Sequence, residues 1–306
     1  MGCSMDQIVF WCCLSGVCFL VAGFVSRRAE FCWRHALDAL AALGVVLVAT
    51  ALGTFGAEHL SDAREIVQII PKWIPARMFW TYFVGVALLA AGVSYVLRRL
   101  VRWSALSLFV MFLLFDLLMH IPAWMRHLTG NREYWLIVVR DTTFGVGGLA
   151  LFAFYLGDTK VANALRWGTR TWVGGVLVLY GIEHLLHPEC TPGVPDLRHT
   201  AAWVPMPHAL TYLVGAIVLI CGIGLLAGKY AEYAAAAAGL LMTLLALGLY
   251  LPSLLMAHGG AQRLLETNYV GDTLMFAGTV LLFARCVRGV GRTSEAVEVH
   301  EQVVAS

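Results

Sequence analysis

The chain is expected to be an all-α, polytopic membrane protein, and three observations carry that expectation. Of its 306 residues, 60% are hydrophobic and 13% charged, with a mean hydropathy of +0.77. Soluble domains average about 45–50% apolar and about 25% charged residues. Nine apolar stretches reach the roughly 17–25 residues that a bilayer crossing needs. None alternates with the period of two that a barrel strand would show, so helices must satisfy the backbone in lipid. An ordinary soluble enzyme, a disordered chain and a nucleic-acid binder are excluded. The net charge of +2 carries no partner information.

The nine spans run over 8–25, 36–60, 77–97, 103–121, 135–156, 167–186, 208–227, 231–254 and 269–287. The first lacks a basic leader and is followed by Arg27 and Arg28, so it reads as a retained helix rather than a cleaved signal. The opening MGCSMD has Asp6 where a myristoylation site needs Ser or Thr. Eight cysteines, none in a CxxC, read as small buried hydrophobes. Segment 61–75, with Ile66, Val67, Ile69, Ile70 and Trp73, reads as an interfacial helix. The loop 187–208 carries His187, Cys190, His199, His208 and several prolines, and reads as an ordered surface loop. The tail 288–306 is polar and is expected to be disordered.

Charge sets the orientation. Thirteen of the 21 Lys and Arg flank the side that holds Arg27, Arg98, Arg166 and Arg285. Seven flank the other side, and Arg140 lies inside a span. The positive-inside rule puts the arginine-rich side in the cytoplasm, the N-terminus outside and the C-terminus inside. A bacterial cytoplasmic membrane is the expected location. Eight of the ten histidines (His59, His120, His127, His184, His187, His199, His208 and His258) border the external side. Aromatic belts account for the tryptophans there, but not for the histidines.

The chain repeats itself. GAEHL at 56–60 returns as GIEHL at 181–185, WIP at 73–75 as WVP at 203–205, and TYFVG at 81–85 as TYLVG at 211–215. HIP at 120–122 falls on YLP at 250–252, RDT at 140–142 on GDT at 271–273, and LFA at 151–153 on LFA at 282–284. The offset drifts from 125 to 131. Each repeat holds four spans, an even number, so the two run parallel about an axis along the membrane normal rather than inverted. The expected organisation is an N-terminal helix at 1–35, four-helix repeats at 36–157 and 158–287, and a cytoplasmic tail at 288–306.

The order GxEHL, Trp-(Ile/Val)-Pro loop, TYxVG and Pro-ended span resembles the DoxX-like family of small four-helix membrane proteins. The resemblance covers both repeats and is strongest at 181–252. It implies a four-helix bundle in each repeat and a link to thiosulfate:quinone oxidoreduction or membrane redox complexes. A fused tandem with an extra helix departs from the family's single unit.

Charges inside spans cost about 2.5–3.5 kcal/mol each and mark functional interiors. In the first repeat they are Glu58, His59, Asp116, His120, Arg140 and Asp141, all in the outer third. Asp116 and His120, four apart, share a helix face. The second repeat offers Glu183, His184, Tyr250 and Asp272. Several readings stay open: structural ion pairs tying helices together, a small-molecule or quinone redox pocket flanked by Trp80, Tyr82 and Trp124, a metal site, and transport of a small solute. Imidazole and carboxylate can hydrogen-bond a quinone carbonyl and relay its protons. No HxxxH, ExxH or CxxCH occurs, so no metal and no haem is assigned. Quinone is the cofactor under consideration. The partners expected are the bilayer and membrane redox proteins, with a non-catalytic scaffold as the rival role.

Overall fold

A computed structural model describes residues 4–31, 36–127 and 132–287. Among these residues the regular structure is helical, apart from one isolated bridge between Cys190 and His199. The long helices are α1 (Met5–Arg27), α2 (Ala36–Ser61), α4 (Arg77–Leu97), α5 (Val101–Phe115), α7 (Glu133–Tyr155), α8 (Lys160–Leu186), α9 (Pro207–Ala227), α10 (Ala231–Leu245) and α12 (Gly260–Cys286). Short helix α3 (Ala63–Ile69) occupies the interfacial segment. Two five-residue π-helical turns, Asp116–His120 and Ala246–Tyr250, carry α5 into α6 (Ile121–Arg126) and α10 into α11 (Leu251–Met256). A short helix within 61–75 is thus as expected, whereas the tail lies outside the described residues.

Eight of these helices, α5 and α10 being taken through their π turns, are long and apolar enough to cross a membrane. The expected count of nine therefore falls by one on composition. The exception is α8, whose 27 residues include Lys160, Arg166, Arg170 and Glu183. These charged residues lower its hydropathy, and Glu183 among them is paired within the protein with Arg132. It still lies along the whole of α9: a Cβ on Gly174 would meet Leu226, one on Gly181 would meet Leu219, and one on Gly215 would meet His184. The contact numbers sum to a constant, which is the signature of two antiparallel rods in full-length contact.

The same arithmetic orders the rest. Helix α2 runs antiparallel to α12, with Gly44 against Gly278 and Leu281, Phe55 against Gly271, and Asn268 bonded to Glu58. Helix α7 runs parallel to α12: Gly147 faces Thr279 and Arg140 reaches Asp272, both at a separation of 132. Several local features of α4–α7 recur in α9–α12. Left-handed residues precede α4 at Ala76 and α9 at Met206, and the π turns and their following Pro122 and Pro252 stand 130 apart. A proline cannot donate to the helix ladder and crowds the carbonyl four residues back. Widening the preceding turn relieves both problems: Ile121 N–H bonds Asp116 O, and Leu251 N–H bonds Ala246 O.

Burial grades the helices. Helices α2, α7 and α12 are mostly buried, with Val46, Leu52, Phe276 and Leu281 at the centre. Helices α1 and α5 present most of their apolar surface outward. Helix α1 packs on α2 through Gly16 and Gly23, and Ser15 Oγ donates to Gly53 O.

Candidate functional site

The face where α2, α6 and α8 end and α4, α7, α9 and α12 begin carries the histidines. It opens into a cavity of about 850 Å³ between the start of α7, the 187–206 loop, α11 and the first turns of α12. Apolar walls come from Leu136, Ile137, Trp203, Met256 and Leu265, and polar groups from Arg140, Asp196, Arg198, His258 and Glu266.

Arg140 links the cavity to a buried ionic chain. It sits in the second turn of α7, next to Asp141. Its Nε donates to Asp141 Oδ1 at 2.9 Å and its Nη1 to Asp272 Oδ2, in α12, at 2.6 Å. Asp141 Oδ2 lies 3.2 Å from His120 Nε2 on the first π turn. Asp116, one turn earlier, accepts from Thr142 Oγ1 at 2.7 Å through Oδ2. At the position in α12 that matches Arg140 stands Gly271, where the Phe55 ring would be 2.8 Å from any Cβ. One arginine therefore serves both aspartates of the two Asp-Thr dipeptides.

The sequence-predicted cluster divides. Asp116, His120, Arg140 and Asp141 come together, and Asp272 joins them across the halves. Glu58 instead accepts from Asn268 Nδ2 at 2.8 Å. His59 turns its Nδ1 to Phe55 O at 2.8 Å and wedges its Cβ against Gly85 of α4. Trp80 and Tyr82 are exposed on α4, where Trp80 packs on Phe79 and Phe83. The expectation of one pocket for all of these fails for a geometric reason. Glu58 is adjacent to His59, about 100° round the helix, and the two are claimed by α12 and α4 respectively.

The counterparts in the second half are closed over. Glu183 accepts from Arg132 Nη1 at 2.7 Å, and the same guanidinium reaches Cys190 Sγ and Asp196 O. Gly193 N–H donates to His184 Nε2 at 2.9 Å, which leaves His184 Nδ1 to donate to Tyr180 O. Tyr250 Oη donates to Pro192 O at 3.2 Å. The loop fits this closely only because residue 193 is glycine: its φ is +140°, and a Cβ would lie 2.7 Å from the Tyr250 hydroxyl. The loop thus covers the second half's polar residues while its outer edge, at Asp196 to Arg198, forms the wall of the cavity.

Sequence reasoning did not identify Arg132, Asp196, Arg198, Glu266 and Tyr269. Arg198 donates to Glu266 at 2.8 Å and lies over the rings of Tyr250 and Tyr269. The available signal was Gln262 and Glu266, four apart and bonded at 2.9 Å. It shows that α12 starts at Gly260, nine residues before its apolar stretch. Burial pushes the Asp196 carboxyl up to about 6, against the opposing pull of the Arg198 backbone N–H and guanidinium.

Residues 167–258 match the family model DoxX, and residues 48–140 match a domain of unknown function, DUF8561. No curated protein and no solved structure matches the chain.

Proposed function

We propose that this DoxX-like multi-pass membrane protein is the membrane-embedded subunit of a redox system, and that its cavity takes a quinone-class compound. The observation that supports this most directly is an open cavity whose floor includes Arg140, itself bonded to buried titratable groups. Such pockets are mostly apolar with a few placed polar groups. Leu136, Ile137, Leu265 and the rings of Trp203 and Tyr269 suit a planar ring, and Arg140 and Arg198 suit carbonyl oxygens. Behind Arg140, Asp141 and His120 provide groups able to hold a proton near the ligand. A bound quinone would supply two-electron redox chemistry.

The same proposal places the cavity on the external side, with the N-terminus outside and the C-terminus inside a bacterial cytoplasmic membrane; the thirteen-to-seven bias of Lys and Arg supports this. It also takes residues 36–157 and 158–287 as copies of one four-helix unit, supported by long helices and π turns that recur in the same order. Partner proteins of the redox system would dock on this subunit. A non-catalytic assembly subunit is the second reading, and the pairing of Arg140, Glu183 and Glu266 across elements favours it.

Purification in mild detergent followed by solvent extraction tests the first reading. Quinone should copurify, and decylubiquinone should bind saturably to protein stripped of it. Leu265→Trp, which fills the cavity, should weaken that binding by at least ~10-fold, the scale of about 1.4 kcal/mol. An absence of both copurified quinone and saturable binding, or binding indifferent to Leu265→Trp, would leave the assembly role.

A further inference from the structure

We infer that Asp116, His120 and Asp141 form a binding site for a divalent transition-metal ion. The inference goes beyond the redox reading and is measured without it; with an ion bound, His120 and Asp141 would ligate it rather than hold a proton. One ligating atom from each residue can be chosen so that all three lie within 4.8 Å of one another. Two come from the π turn and one from α7. First-row ions bind imidazole nitrogen and carboxylate oxygen at about 2.0–2.2 Å, which puts neighbouring ligand atoms about 3 Å apart. His120 Nε2 and Asp141 Oδ2 are already 3.2 Å apart, so a modest contraction of the third ligand completes the set.

Two observations beyond the proximity point to a cation. First, each carboxylate has one oxygen held from outside and one left over. Thr142 holds Asp116 Oδ2 and Arg140 holds Asp141 Oδ1. Asp116 is 2% exposed and its Oδ1 is buried with no partner. Buried acceptors without a donor are costly. Outer donors that orient a carboxylate while leaving its second oxygen free are the arrangement that metal sites use. Second, the charge is unbalanced. Asp116, Asp141 and Asp272 bring three negative charges when ionised, and Arg140 is the one guanidinium in contact with them among the described residues. The balance is −2 with a neutral imidazole, inside a bundle where unpaired charge is strongly disfavoured. A divalent ion neutralises it.

The donor set of one nitrogen and two oxygens suits Mn2+, Fe2+ or Zn2+ rather than a thiophilic ion. Three protein ligands leave coordination positions open, as in catalytic rather than structural sites. The π turn contributes the geometry, because its larger number of residues per turn changes the angle between Asp116 and His120 from that of an α-helix. Such turns are frequent at functional sites. In the second half the matching residues are Ala246 and Tyr250, so the site belongs to the first half alone.

The test uses the full-length protein in mild detergent, stripped with EDTA, reloaded with Mn2+ or Zn2+ and analysed by elemental mass spectrometry against a detergent blank. About one ion per chain is expected, lost as pH falls and the ligands take up protons. Reloading with Co2+ should give visible ligand-field bands. His120→Gln and Asp116→Asn should each weaken binding by at least ~10-fold, while Glu65→Gln, at an exposed position on α3, should not. Wild-type protein that is monodisperse yet takes up no ion and gives no Co2+ bands would overturn the site. So would unchanged affinity in monodisperse His120→Gln and Asp116→Asn. Wild-type uptake alone decides the matter if the variants misfold. Quinone binding, read separately through Leu265→Trp, can fail while metal binding holds, and the reverse.

Discussion

Arg140 is the shared partner of buried Asp141 and half-buried Asp272, which stand on parallel helices. Removing one member of such a group leaves the others charged and unsolvated, which costs about 3–5 kcal/mol. Arg140→Gln should therefore lower the SDS-unfolding midpoint sharply, and adding Asp141→Asn and Asp272→Asn should recover most of the loss. A triple variant as unstable as the single one would mean that the cost lies in packing instead. Asp196 makes a different prediction. Its carboxyl titrates near 6 in the folded protein, above the ordinary value of 3.8. A raised acid favours the fold most at low pH, and that contribution is lost as pH rises from about 4 through about 6. Amide protection in residues 187–206, corrected for the intrinsic base-catalysed exchange rate, should accordingly be greater at pH 5 than at pH 7, and Asp196→Asn should flatten the difference. Equal corrected protection at the two pH values in the wild type would show that Asp196 is not desolvated.

At the scale of elements, small residues decide which helices meet. Between α2 and α12, a Cβ on Gly278 would stand 2.7 Å from Gly44 O, and one on Gly44 would stand 2.8 Å from Gly278 O. Backbone faces backbone there, so neither side can yield. Without a hydrophobic drive between helices in lipid, such close approach is what holds them. Gly278→Val should cost about 1–3 kcal/mol by overpacking, read as a lower unfolding midpoint. By contrast, Gly175→Val, at a glycine with nothing within 4 Å, should be nearly neutral. The π turns illustrate how sequence and local structure interlock. Pro122 and Pro252 were visible as ends of apolar stretches. That each is preceded by a widened turn follows only from a proline placed where the helix continues into α6 and α11.

Across the whole molecule, the halves are bound by contacts that the repeat pattern does not reveal. Glu58 of the first half bonds Asn268 of the second, Glu183 of the second bonds Arg132 of the first, and Arg140 reaches Asp272. The glutamates of both GxEHL motifs thus reach across to the other half. A chain split in the short loop between Tyr155 and Lys160 and produced as two pieces should copurify through a tag on either one. Pieces that separate in mild detergent would mean that the covalent link, rather than the α2–α12 and α7–α8 faces, holds the halves.

Much of this was legible from residue order. The all-helical membrane class follows from apolar length together with the lack of period-two alternation, because lipid leaves a backbone only helices or closed barrels. The expectation of two parallel repeats rests on matched motifs with an even number of spans between them. The meeting of Asp116 with His120, and of both with the start of α7, was legible as polar residues at a common depth. Depth, however, is all that hydropathy reports. Rotation about the helix axis, which sends Glu58 to α12, His59 to α4 and Trp80 to the surface, is set by which neighbour each face packs on. That depends on glycines and loops far away in the chain. Tertiary structure alone decided that Asp272 belongs with Arg140, that the 187–206 loop closes the second half's polar residues, and that the cavity lies between the halves. The physical reason is that burial along the membrane normal is a property of a segment, whereas the direction of a side chain within the membrane plane is a property of the assembled bundle.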